Sequence, residues 1–141
     1  MTVKKIVLRT LLGLLIVFFL FIGLFVIPYF ANIVMPWDRK DAIETAITWG
    51  GLADLPDAAE DISVGTEGSM FTRTFIIQFE LDNDAIDAWI KRSARLKNMV
   101  PIVEEDGTLL YEIHPGEERS IGGTVRVNRL DHWVIIKMSW S

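Results

Sequence analysis

Apolar and polar positions divide the chain into one unbroken apolar run and a series of short patterned segments. Residues 10–30, TLLGLLIVFFLFIGLFVIPYF, carry no charged side chain, and the apolar character continues to Met35 with only Asn32 strongly polar. At about 1.5 Å per residue, a helix of ~20 residues crosses the hydrocarbon core of a bilayer. A secretory signal has a shorter apolar core, ~7–15 residues, closed by a small-x-small cleavage site. The best such site here ends at Ala31, and the residue two before it is the large Tyr29. The pattern therefore predicts an uncleaved signal anchor: a transmembrane helix over residues 10–35, with residues 1–9 as a short cytoplasmic segment. Pro28 is expected to kink or end its deep part.

The rest, residues 36–141, alternates between the helical and the strand period. MPWDRKDAIETAITWGG reads as a helix started by Pro36 and Asp38, stopped at Gly50-Gly51, and carrying an apolar stripe of Ala42, Ile43, Ala46, Ile47 and Trp49. LPDAAEDISVGTEGS reads as loop with a short strand near residues 62–64 and a turn at GTEGS. MFTRTFIIQFELD is the clearest strand, with Phe71, Arg73, Phe75, Ile77, Phe79 and Leu81 on one face. DNDAIDAWIKRSARLKN reads as a capped helix burying Ile86, Trp89, Ile90 and Leu96, with acids early and bases late. TLLYEI is a strand, HPGEERSIGG a loop, and GTVRVN and HWVIIKMSW a closing hairpin. The order implies an α+β domain: a small antiparallel sheet packed with one or two helices.

Charge adds orientation. Lys4, Lys5 and Arg9 precede the apolar run and Arg39 and Lys40 follow it, so the positive-inside rule favours the N-terminus in. Residues 41–141 hold 9 Lys/Arg against 18 Asp/Glu. An acidic domain repels phosphate, which excludes a nucleic-acid partner. The expected location is the bacterial inner (plasma) membrane, single-pass, with the acidic domain periplasmic or extracellular. Lys4, Lys5 and Arg9 would lie at one membrane interface, and Tyr29 and Trp37 would form an aromatic belt at the other. With no cysteine there is neither a lipid-modified Cys nor a disulfide.

Candidate chemistry is sparse. DNDAID groups three Asp, but a calcium loop needs a longer ligand series and usually Gly where Asp87 stands, so capping explains it better. EEDG reads as a solvated turn, and His114 and His132 lack the spacing of a zinc site. No Gly-x-Ser-x-Gly elbow occurs, and GGLADLP and SIGGTV lack the Lys-Ser/Thr of a phosphate loop. The sequence thus points to no enzyme, no catalytic residue, no metal and no cofactor. Arg73 is the odd residue of an apolar strand face, either pairing with an acid on a neighbouring strand or touching a partner. Phe18, Phe21 and Phe25 belong to a set of rings spread around the apolar helix; they face lipid or pack on other transmembrane helices.

Two functions fit. One is an accessory, structural or assembly subunit of a larger membrane complex, of the respiratory or photosynthetic kind, whose partners are the lipid bilayer and other integral membrane subunits. The other is a membrane-tethered ligand-binding or sensing module. Only nine residues precede the apolar run, too few for a signalling output, and this favours the subunit.

Overall fold

The computed structural model describes residues 2–141, which form two compact units, one ending at Ile33 and one from Val34 to Ser141. The first is a single interrupted helix, α1 (Val3–Phe30), whose 28 residues are long and apolar enough to cross a membrane. It takes in Lys4, Lys5 and Arg9 in its opening turns rather than starting at Thr10. Pro28 does not end it. Proline has no N–H to donate and its ring crowds the carbonyl four residues back. The segment Ile22–Val26 widens into a π-turn in which the Ile27 N–H reaches the Ile22 carbonyl, and helix then continues through Pro28 to Phe30. A π-turn is a known way for a helix to absorb such a misfit.

The second unit is an α+β domain. Its elements are α2 (Arg39–Gly50), β1 (Glu60–Gly68), β2 (Arg73–Glu80), α3 (Asn83–Arg92), a 3₁₀ turn (Leu96–Asn98), β3 (Ile102–Val103), β4 (Leu109–Ile113), β5 (Gly122–Asn128) and β6 (Trp133–Trp140). The six strands make one antiparallel sheet in the order β1-β2-β6-β5-β4-β3. Helix α2 closes on Gly51, which takes a left-handed φ of 58° that favours glycine. Helix α3 is capped by Asp82, whose carboxylate accepts the Ala85 N–H at 2.9 Å.

Cross-strand register sets the core. Val64 pairs with Ile77, Ile77 with Ile136, Ile136 with Val125 and Val125 with Tyr111, giving one apolar row across five strands. Phe79, Val134 and Val127 form the next row. Both helices cover this face: Ala46, Ile86 and Trp89 belong to its core, Trp49 lies 5.5 Å from the Phe75 ring, and Trp89 meets Phe79 edge-on at 5.8 Å. The opposite face presents Gln78, Glu112, Arg126 and Lys137 to solvent.

Two strands also differ from the sequence reading. The expected short strand at residues 62–64 is a nine-residue edge strand, and GTEG lies inside it rather than in a turn. Thr66 and Glu67 are held there by pairing with Phe75 and Thr74. The reversal falls instead at residues 69–72, so Met70 and Phe71 leave the strand. The two-residue β3 was also unforeseen, because pairing with Leu109 and Leu110, not local pattern, makes it a strand.

Trp89 is fully buried and its indole N–H donates to the Ala53 carbonyl at 3.0 Å. Trp89→Ala should cost about 3–5 kcal/mol, a large part of the roughly 5–15 kcal/mol that holds a domain folded. Thermal unfolding of the full chain in mild detergent should show the second unit's transition shifted down by more than 10 °C or lost; a shift of only a few degrees would contradict this packing.

Candidate functional site

Two groups of residues stand apart from the core. The first is the surface of α1. None of its α-helical residues from Val3 to Phe21 is buried, and Phe18, Phe21 and Phe25 are each more than half exposed. Within the set of rings spread around the helix, these three share one side. Side chains three and four residues apart share a face, and the Phe21 and Phe25 rings stack at 5.3 Å. Phe18 sits one turn earlier on the same side, with Phe19 edge-on to it at 5.8 Å. Lys4, Lys5 and Tyr29 are exposed on the helix, as is Trp37 at the start of the second unit. With no charged side chain after Arg9, what this helix offers chemically is apolar, aromatic packing surface.

The second group is the polar surface of the α+β domain. Arg73 opens β2, opposite Gly68 on one side and Trp140 on the other. Its guanidinium donates to the Thr66 hydroxyl at 3.3 Å, on neighbouring β1. This contact joins β2 to its neighbouring strand.

A pairing the sequence did not single out forms a bracket at the other end of the sheet. Arg129, in the β5–β6 turn, donates to the Asp87 carboxylate on α3, tying the hairpin to the helix. The Arg129 hydrogen bond holds the Asp87 carboxyl below the usual Asp value, and Asp87 in turn raises Arg129. Burial pushes the neighbouring Tyr111 phenol upward. Asn128 completes the turn, its side-chain oxygen accepting the Leu130 and Asp131 N–H groups at 2.9 Å each. A pair 42 residues apart leaves no local pattern to detect.

Beside this bracket an open cleft of about 440 Å³ is lined by Ala58, Glu60, Glu80, Leu81, Asp82 and His132. Glu60 faces Glu80 across the β1–β2 ladder, an arrangement that repels. Asp82 is occupied as the α3 cap, and the His132 carbonyl accepts the Leu81 N–H at 2.9 Å. Among the described residues no three His, Asp or Glu side chains converge as metal ligands would. His114 lies elsewhere, with Nδ1 at 3.1 Å from the Ile121 carbonyl. The glycines of SIGGTV serve close strand approach: a Cβ on Gly123 would sit 1.8 Å from the Lys137 carbonyl oxygen.

The Asp87–Arg129 bracket has a pH signature. Asp87 has a lower pKa folded than its ordinary 3.8. Its contribution to stability is whole above that value and is lost as pH falls through the lower folded value. Both side chains are more than a third exposed, at 46% and 38%, so screening keeps the pair to under about 1 kcal/mol. Arg129→Met should lower the melting temperature slightly at pH 7 and leave the two proteins closer together at pH 2–3; a difference that widens on acidification would contradict the assignment. No protein-family model, curated protein or solved structure matches this chain.

Proposed function

We propose that this chain is a non-catalytic, single-pass membrane protein that acts as an accessory or assembly subunit of a larger membrane complex. In this reading α1 is an uncleaved anchor in a bacterial plasma membrane, with its N-terminus in and the α+β domain on the outer side. One observation carries it: a helix of 28 residues with an exposed aromatic edge at Phe18, Phe21 and Phe25 and no charged side chain at depth. Ionisable residues inside a membrane mark ion paths and proton relays; a helix without them is built to pack. Lipid offers no hydrophobic drive between helices, so association rests on ring contacts and notches such as Gly13 and Gly23, where an added Cβ meets nothing within 4 Å. The domain supports the same reading, because Asp82, Asp87 and Arg129 are engaged in holding its own elements together.

An alkaline phosphatase fusion after Ser141 should be active, and the purified chain should retain its N-terminus. An inactive fusion would reverse the orientation, and a mature form starting near Asn32 would remove the anchor.

Replacing residues 10–34 with a Leu/Ala-rich span keeps an anchor and deletes the rings and notches. Tethering multiplies weak contacts of the domain through effective concentration. The swapped protein should reach the membrane and fold, yet co-purify with its complex at least about tenfold less well than the parent. Parent protein running alone on native gels in several mild detergents, with nothing co-purifying, would overturn the subunit reading.

A further inference from the structure

The α+β domain exposes a small apolar cluster at one end of its sheet. Phe71 is 78% exposed, Met70 65%, Ile121 50% and Trp140 43%. Register brings them together. Gly68 pairs with Arg73 and Arg73 with Trp140, while the Ile121 N–H donates to the Ser139 carbonyl at 3.1 Å. The turn at residues 69–72 projects beyond this row. We propose that this tip is a second membrane contact, inserting Met70 and Phe71 into the interfacial layer of a bilayer with Trp140 and Ile121 at its rim. The proposal rests on the membrane-anchored reading above.

Backbone groups entering lipid must be satisfied internally, and the turn satisfies some of its own. Here the Ser69 N–H donates to the Thr72 carbonyl at 3.0 Å, the Phe71 N–H to the Ser69 hydroxyl at 3.3 Å, and the two hydroxyls lie 3.2 Å apart. No residue from 68 to 72 is charged. The carboxylate just below, Glu67, is paired with Lys137 at 3.2 Å. Arg73 sits at the base of the turn, its guanidinium donating to the Thr66 hydroxyl.

Size and charge favour lipid over a protein partner. A stable protein interface engages about 20–30 residues a side, and this cluster has four. A tethered domain needs only a weak contact, because anchoring supplies the effective concentration. The net acidity of residues 41–141 is repelled by anionic lipid, so the contact is apolar and zwitterionic lipid suffices.

The chain has no cysteine, so Met70→Cys and Phe71→Cys each carry a nitroxide at one site. The full chain is placed in phosphatidylcholine nanodiscs, and collision of the label with oxygen is compared with collision with a water-soluble nickel chelate. Phe18→Cys serves as the lipid reference and Asn98→Cys as the water reference. Labels at 70 and 71 should prefer oxygen, as at 18, while the label at 98 prefers nickel. A nickel preference at 70 and 71, with 18 in lipid, overturns the tip proposal alone. Shielding of both from either reagent shows a protein contact and overturns it too. A nickel preference at 18 overturns the anchored reading and this proposal with it.

Discussion

Strand β6 is hydrogen-bonded on both sides, and every other element of the domain takes its place from that pairing. Val134, Ile136 and Met138 are all fully buried and must face the same way. Slipping β6 by one residue would turn Trp133, Ile135, Lys137 and Ser139 toward the helices, burying an ammonium without a partner. Register is thus fixed by the cost of the wrong face. It places Phe79 beside Val134 and so creates the floor on which Trp89 rests.

The close approach of β5 to β6 is part of the same constraint. At Gly123 the Lys137 carbonyl occupies the space a side chain would need, and Gly122 holds a φ of 104°. These two glycines let β5 enter the sheet beside the C-terminal half of β6, so that Val125 and Val127 join the rows begun by Ile136 and Val134. No disulfide assists, and the domain depends on apolar packing and on long-range ties such as Trp89 to Ala53 and Arg129 to Asp87.

Placement of ionised groups links this architecture to the proposed role. In the domain they lie on the solvent face of the sheet, as in Lys137–Glu67 and Arg126–Glu104, or at helix ends and turns. The apolar surface left uncovered there is concentrated at sheet margins and loop tips, among them the turn at Met70 and Phe71. In α1 the distribution is reversed, with apolar side chains exposed along its length and the charged ones confined to the opening turns. Those two surfaces suit different solvents, which is why the proposed membrane role rests on the physics of burial rather than on any reactive group.

Much of this was legible in the chain itself. An apolar stretch longer than a signal core marks its own length, alternation in FIIQFE and WVIIKMSW marks strand faces, and Asp82 or Asn83 before a helical stripe marks a cap, because each depends only on neighbours within a turn or a pleat. The common face of Phe18, Phe21 and Phe25 follows from spacing too, although the wider set of rings disguised it. Other features belong to the tertiary structure. The length of β1 and the two residues of β3 are set by partner strands, and the exposure of Phe71 by where the β1–β2 ladder ends. The Arg73–Thr66 contact and the Asp87–Arg129 bracket join residues that meet only after the sheet has formed. Local periodicity determines which face a segment will bury, whereas which segment lies against it is decided by the register of the assembled sheet.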